Sequence, residues 1–419
     1  MDSTLAPTAP DLTRWKLRFF TLWTGQAFSL FGTQLVQFAL IWYLTERANS
    51  GSVLAVATLV GLLPQVLLSP IIGTLVDRWN RRAILILADA SVALATILLA
   101  LIFAFGQVEI WHIYFLLFVR AVGNGFHQSA MGASTVLIVP REHLARIQGL
   151  NGAIRGGMDI VAAPLGALVL AVLPMQGVLA IDVVTAVLAI APLLVFSIPQ
   201  PPAAADGTPK RSVREDFMVG LRYVLGWPAL LLVLSMVLVI NFLLIPTFTV
   251  MPLLVTRQFG GGALELGWIN AAFGGGTILG GLLLGAWGGF KRRVVTALLG
   301  LVGLGVGILV AGLAPASAYW LAVVGVGVAG FMVPIANGSF GATLQATIAP
   351  DMQGRVFALV LSAATALGPL GLLLAGPLTD RVGVQPWFWV GGSVCALMGL
   401  VGFLLPPVYH FESRLAQSA

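Results

Sequence analysis

Apolar stretches long enough to cross a bilayer recur along this chain, separated by short polar breaks. A spanning helix needs about 20 mostly apolar residues. Twelve such stretches are read, near 19–44, 53–75, 83–105, 111–138, 147–172 and 175–198, then near 229–255, 265–288, 294–313, 318–347, 356–378 and 385–405. The apolar runs are nearly continuous. A transmembrane barrel would instead alternate apolar and polar residues over segments of about 10 residues. The pattern therefore predicts an all-α membrane protein. The longest polar interruption, 199–222, carries Pro199, Pro201 and Pro202, then Lys210, Arg211, Arg214, Glu215, Asp216 and Arg222. It reads as a cytoplasmic linker between a half at 1–198 and a half at 223–419.

Composition agrees. Hydrophobic residues make up 58% of the 419 residues and charged residues 9%, against roughly 25% charged in a soluble domain. So few charges cannot cover a water-soluble surface of this size. Disorder, a collagen repeat and a disulfide scaffold are excluded; Cys395 is the only cysteine. The net charge of +6 fits loops that face anionic lipid, and no nucleic-acid partner is expected. Arg14, Lys16 and Arg18 precede a first apolar stretch longer than the roughly 7–15 residues of a secretory signal. That stretch is expected to be a retained helix.

The basic residues orient the spans. With the N-terminus in the cytoplasm, the inner side holds Arg14, Lys16, Arg18, Arg78, Arg81, Arg82, Arg141, Arg146, Lys210, Arg211, Arg214, Arg222, Lys291, Arg292, Arg293, Arg355 and Arg414. The outer loops hold only Arg47, Arg257 and Arg381. That asymmetry is a strong positive-inside signal and supports an even number of spans. Both termini are expected in the cytoplasm.

An internal repeat is visible. Gly132-Ala133-Ser134 leads to Pro140, Arg146 and a helix with Ala163-Pro164. Gly341-Ala342-Thr343 leads to Pro350 and Arg355, 209 or 210 residues on, and then to a helix with Gly368-Pro369. Twelve helices in two pseudo-symmetric six-helix halves around a central cavity is an alternating-access plan.

The break after the second stretch reads Gly73-Thr74-Leu75-Val76-Asp77-Arg78-Trp79-Asn80-Arg81-Arg82. Gly73 would let two helices approach closely. Asp77 could cap the following turn or pair with an Arg from another helix. This stretch resembles the signature loop of the major facilitator superfamily, Gly-x-Leu-x-Asp-Arg-x-x-Arg-Arg. The span count and the repeated halves extend the resemblance over essentially the whole chain, and it implies the major facilitator fold. It also implies that Gly73, Asp77, Arg78, Arg81 and Arg82 form a conformational latch on the inner face. The matching loop of the second half, Gly285 to Arg293, keeps a glycine and a basic cluster but has Gly289 in place of the Asp, so the latch is expected to be asymmetric. Asp380-Arg381 looks similar, but it falls on the outer side and is not counted as a copy.

Arg120 lies inside an apolar stretch, after Phe115 to Val119. A charge there costs at least about 2.5 kcal/mol unless it finds a partner or water. Snorkelling is the ordinary alternative, but Arg120 is far from the segment start. Asn124 and His127 or Gln128 continue its helical face. The stretch resembles the superfamily's fourth-helix motif, Arg-x-x-x-Gly, whose Arg is tied to proton coupling, though Asn124, between Gly123 and Gly125, stands at the glycine's place. Arg120 takes that role by resemblance, with Gly123 and Gly125 as packing positions. In the fifth stretch, Ala163-Pro164-Leu165-Gly166 resembles the exporter motif with Ala163 replacing a glycine; Pro164 and Gly166 imply a bendable, closely packed helix. Arg155 and Asp159, spaced i,i+4, form either a locked structural pair or one that opens when a proton or substrate arrives.

Asp159, Asp182 and Asp89 rank in that order as proton-site candidates, since burial and a nearby Arg pull a carboxyl in opposite directions. Asp89 is expected to join the network of Asp77 and Arg120. The first helix presents a polar face with Gln26, Ser29, Thr33 and Gln37. Asn124, His127, Gln128, Asn241, Asn270 and Asn337 extend the candidate cavity lining, which suits a bulky amphipathic solute. Gly260-Gly261-Gly262 and Gly274-Gly275-Gly276 lack the Gly-Lys-Ser/Thr of a nucleotide loop. His112, His127, His143 and His410 form no ligand cluster. No metal, cofactor or enzymatic activity is expected.

The Gly-Ala-Ser/Thr stretches before the fifth and eleventh helices resemble those of the branch that contains bacterial macrolide efflux proteins and the enterobactin exporter. The resemblance implies proton-coupled export of hydrophobic or amphipathic compounds across the bacterial inner membrane, by a monomer whose partners are its small-molecule substrate, protons and the lipid bilayer. A siderophore or metabolite exporter and a lysophospholipid transporter are the alternatives.

Overall fold

The computed structural model describes residues 15–412, apart from 107, 197, 199 and 201–212. Among the described residues there is no strand. The helices are α1 (Trp15–Ala48), α2 (Gly51–Arg78), α3 (Arg81–Ala104), α4 (Ile110–Ile138), α5 (Leu144–Val172), α6 (Met175–Val195), α7 (Val213–Leu225), α8 (Pro228–Thr249), α9 (Met251–Phe259), α10 (Ala263–Trp287), α11 (Arg293–Leu313), α12 (Tyr319–Thr347), α13 (Pro350–Ala366), α14 (Gly368–Val382), α15 (Gln385–Leu404) and α16 (Pro406–Tyr409). Helix is the outcome that a bilayer imposes, because each backbone group finds its partner within its own segment.

Ten of these helices are long and apolar enough to cross a membrane: α1, α2, α3, α5, α6, α8, α10, α11, α12 and α15. The chain is thus an all-α, multi-pass membrane protein. The twelve predicted stretches differ from these ten at identifiable places. The fourth forms one 29-residue helix, α4, whose apolar run is interrupted by Arg120, Asn124, His127 and Gln128. The eleventh, read as one span over 356–378, is broken at Leu367 into α13 and α14. Pro369 in the first turn of α14 has no N–H to continue the preceding helix. The seventh, read over 229–255, is broken at Val250 into α8 and α9, with Pro252 in the first turn of α9. Part of the predicted linker, 213–222, is helical in α7; Pro199, Pro201, Pro202, Lys210 and Arg211 lie outside the described residues.

The chain divides into two compact units. The first takes residues 1–39, 60–158 and 169–207; the second takes 40–59, 159–168 and 208–419. The first unit's core gathers Phe19 and Leu22 of α1, Ile72 and Val76 of α2, Ile84 and Leu85 of α3, Ala130 and Ile138 of α4, and Leu193 of α6. The second unit's core gathers Leu230 and Leu234 of α8, Leu298 of α11, Leu344 of α12 and Val356 of α13, closed by Trp227 stacked on Phe411 at 4.7 Å. In the second unit, helices touch through glycine. A Cβ on Gly280 of α10 would collide with the Phe331 carbonyl of α12. On Gly392 of α15 it would lie 2.7 Å from the Gly305 carbonyl of α11. Without hydrophobic pressure between helices in lipid, such backbone-to-backbone approach is how they adhere.

Candidate functional site

In the first unit, Arg120 of α4 is buried and turned inward. Its Nη1 donates to Asp182 Oδ2 of α6 at 2.6 Å, and its Nη2 donates to the Thr33 carbonyl of α1 at 2.8 Å. Asp182 is also buried. It accepts from the Thr33 hydroxyl at 3.3 Å and from the Thr96 hydroxyl of α3 at 3.0 Å. Four helices thus converge on one ion pair. The approach of α1 to α6 depends on Gly32, where a Cβ would collide with Thr185. Snorkelling is set aside, since Arg120 reaches a carboxylate instead of the interface.

A second buried carboxylate stands beside this pair. Asp89 of α3 accepts from the Gln26 amide of α1 at 3.2 Å. The Gln26 carbonyl oxygen in turn faces His127 Nε2 of α4, which lies 3.8 Å from the other Asp89 oxygen. Since Gln26 Nε2 points at the carboxylate, its Oε1 is an acceptor, and His127 donates to it. Asp89 therefore joins Gln26 and His127, and not Asp77 as the sequence suggested.

The α2–α3 connection is anchored by its later residues. Asn80 Oδ1 accepts from the Ala83 N–H and caps α3, so the capping role expected of Asp77 falls to Asn80. Arg81 is buried; its Nη1 donates to the Ala133 carbonyl of α4 at 3.0 Å and its backbone N–H to Gln200 at 3.2 Å. Arg82 donates to the Leu193 and Leu194 carbonyls at the end of α6, the favoured place for a cation at a helix C-terminus. Asp77 and Arg78 are exposed. A Cβ on Gly73 would meet nothing within 4 Å, so in this conformation Gly73 is not at a close helix contact.

Residues 3–418 match the family described as transmembrane secretion effector. The chain belongs to this family, within the major facilitator superfamily. It is 34% identical to macrolide efflux protein A of Streptococcus pyogenes over 389 residues, covering 92% of this chain and 95% of the relative. It is 32% identical to macrolide efflux protein A of Enterococcus faecalis over 317 residues, covering 75% and 97%. The multidrug efflux pump Tap of Mycolicibacterium fortuitum is 28% identical over 398 residues, covering 91% and 94%. Among solved structures, a bacterial homolog of the human lysosomal transporter Spinster, inward-facing and unoccupied, matches with a TM-score of 0.63 at 14% identity, covering 97% and 98%. A D-xylose–proton symporter matches with 0.66 at 11%, covering 94% and 97%; these two speak for the fold alone. The chain is therefore a bacterial membrane transporter of small organic molecules related to the macrolide efflux protein A branch, and not an enzyme.

The remaining positions expected from this family fall into place unevenly. A Cβ on Gly123 would lie 2.8 Å from Val92 of α3, and on Gly125 2.9 Å from Ile72 of α2, so both are close packing points of α4. Pro164 lies inside α5, and a Cβ on Gly267 of α10 would come within 3.2 Å of its Cα; Gly166 is buried. Arg155 donates to Gln128 at 3.2 Å. Asp159 lies on α5, but its side chain is outside the described residues. Asn241 and Asn270 donate to carbonyls one turn back on their own helices, Val237 and Leu266, both at 2.9 Å. Asn337 is exposed, and Gln37 and Asn124 are half-buried. An apolar groove of about 480 Å³ lies between Leu17, Phe20 and Phe28 of α1 and Leu188 and Pro192 of α6, and includes none of the residues expected to line a cavity.

Sequence reasoning missed several participants. Thr96 of α3 was not singled out, and Trp23 of α1 donates to Asn151 of α5 at 2.7 Å. Asp380 was set aside, yet it accepts from Ser50 and from the backbone of Gly51 and Ser52.

Proposed function

We propose that this chain is a proton-coupled exporter of hydrophobic or amphipathic organic compounds, including macrolide-type drugs, working by alternating access as a monomer in the bacterial inner membrane. The observation that carries the coupling is the charge balance of the buried cluster in the first unit. Arg120 balances Asp182. Asp89 remains, with an amide donor and a histidine as its neighbours. A buried charge with no counter-charge is expensive. One proton shared between Asp89 and His127 balances the set, and its loss to the other side of the membrane unbalances it. A cycle that alternates the two conditions exchanges a proton against substrate. Arg120 and Asp182 hold the four helices around that site, and Asp159 on α5 is the competing proton carrier.

The proposed architecture is twelve spans in two six-helix halves, 1–198 and 223–419, joined by a cytoplasmic linker at 199–222, with both termini cytoplasmic. Paired contacts support it. Arg81 donates to the Ala133 carbonyl in the first unit, and Arg293 donates to the Ala342 carbonyl in the second.

Reconstitution into proteoliposomes with an imposed pH gradient tests the function. Macrolide uptake against a proton efflux, lost in Asp89→Asn and kept in Asp159→Asn, is the expected result. The reverse pattern assigns the proton to Asp159. Macrolide movement without proton flux refutes coupling.

A further inference from the structure

The C-terminal end of α14 carries Gly376-Pro377-Leu378-Thr379-Asp380-Arg381. This is the same Gly-x-Leu-x-Asp-Arg order as Gly73 to Arg78 at the end of α2. The two copies are in different conditions. Asp77 is exposed, with no hydrogen bond to its side chain among the described residues. Asp380 is fully engaged. Its Oδ1 accepts from the Gly51 N–H at 2.6 Å, and its Oδ2 accepts from the Ser50 hydroxyl at 2.8 Å and the Ser52 N–H at 3.0 Å. Gly51 and Ser52 open α2, where backbone N–H groups have no partner within the helix and the helix dipole favours an anion.

The backbones meet as closely as the hydrogen bonds imply. A Cβ on Gly51 would lie 2.6 Å from Thr379 Cβ, and a Cβ on Gly376 would lie 2.8 Å from Ser52 Cα. Arg257, in the last turn of α9, completes the joint. Its Nη2 stands 3.6 Å from Asp380 Oδ1, its Nη1 donates to the Thr379 carbonyl at 3.4 Å, and its Nε donates to Asn49 Oδ1 at 3.0 Å. Asn49, in the turn between α1 and α2, holds a φ of +44°, a left-handed conformation that a non-glycine residue keeps only when its surroundings fix it. All of these residues belong to the second unit.

We infer that Asp380 is a second conformational latch, placed at the outer ends of the helices, which clamps the α1–α2 turn to α14 in this conformation and must let go when the transporter opens outward. The outer placement rests on the topology proposed above. The two copies of the motif then work reciprocally. Asp380 is engaged while Asp77 has no such bond among the described residues, and the opposite state exchanges the two. Burial alone would raise the Asp380 carboxyl, but hydrogen bonds from Ser52, Gly51 and Ser50 outweigh it and hold the group at about 2. The latch therefore stays charged at every physiological pH, and its release is driven by helix movement and not by protonation.

The test uses the full chain in liposomes, with Cys395→Ala as background and spin labels at Glu46→Cys and Val382→Cys, both exposed in the second unit. The unmodified latch is expected to give one short distance. Asp380→Asn puts an amide N–H₂ or a neutral oxygen before the same donors. It should raise a longer-distance population about tenfold, the consequence of losing one charge-assisted hydrogen bond. Ser50→Ala, which removes one neutral donor, should shift the distribution the same way but less. Distributions in both variants that match the unmodified protein overturn the latch. Labelling of Glu46→Cys by a membrane-impermeant maleimide in intact cells supports the outer placement. Absence of that labelling, with the distances still shifting, overturns the outer placement and the topology beneath it while the joint itself stands.

Discussion

The Arg120–Asp182 pair is open to a quantitative test. Removing one member of a buried ion pair costs roughly 3–5 kcal/mol, because the survivor is left charged and uncompensated. The survivors here are not equivalent. In Arg120→Gln, Asp182 keeps two hydroxyl donors, from Thr33 at 3.3 Å and Thr96 at 3.0 Å, and a lone carboxylate can shed its charge by binding a proton. In Asp182→Asn, Arg120 keeps the Thr33 carbonyl, and a guanidinium cannot be discharged. Asp182→Asn should therefore be the more destabilising change, toward the upper end of that range.

The double variant Arg120→Gln/Asp182→Asn places two neutral amides side by side, each able to donate and accept. It should be more stable than either single variant, because it leaves no buried charge uncompensated. The free energy of SDS-induced unfolding of the purified protein reads all three variants on one scale. Single deficits that add in the double variant would refute the pair as the energetic unit. An Asp182→Asn deficit no larger than that of Arg120→Gln would refute the reasoning about which survivor can neutralise itself.

Three further outcomes follow from the same geometry. Gly280→Ala should destabilise by about 1–3 kcal/mol, because the new methyl group meets the Phe331 backbone, which cannot step aside; Gly73→Ala, in open space, should stay within about 0.5 kcal/mol of the parent, as thermal unfolding followed by size-exclusion fluorescence would report. Arg120→Ala should leave folded protein in the membrane yet lose macrolide movement driven by a pH gradient, read as proton flux in proteoliposomes. The Asp380 contact has a lowered carboxyl, so its contribution is full above the ordinary carboxylate range and is lost only as the pH falls through about 2; the distance between labels at Glu46→Cys and Val382→Cys should be constant from about pH 5 to 9.

The helices were legible because a bilayer leaves an apolar run few other options, and Arg120 was legible because a charge inside such a run needs a partner. Its partner was not. Asp182 lies 62 residues along the chain, and sequence offered three acids with nothing to rank them by distance. Asp89 was assigned to the wrong network for the same reason: position along a helix gives depth but not rotation toward a neighbour. Asn241 and Asn270 show the converse limit. A polar residue at a promising position can satisfy itself on its own helix one turn back, and periodicity cannot distinguish that from a cavity lining. The Asp380 site was written in the chain as a recognisable motif, but its partners are mostly backbone N–H groups. Any residue supplies those, so no side-chain signature marks them.

The sequence repeat and the contacts bear on one another most directly at the helix starts. In the first unit, the α3 start is capped from far along the chain: the Arg81 N–H donates to Gln200 Oε1 at 3.2 Å. In the second unit, the Val294 N–H at the α11 start donates to Glu412 Oε1, also at 3.2 Å. Gln200 and Glu412 lie 212 residues apart, as do Arg81 and Arg293, while Ala133 and Ala342, whose carbonyls receive the two arginines, lie 209 apart. Neither cap was recognisable as a repeat from residue identity, since one is an amide and the other an acid. What recurs is the physical task. A helix start with free N–H groups must be closed, and in each unit a residue from far along the chain brings an acceptor to it. An acid closes it with the added attraction of the helix dipole, and Glu412 also receives the Thr343 hydroxyl at 3.3 Å. The spacing is set by helix geometry, and the acceptor by nothing stricter than its oxygen.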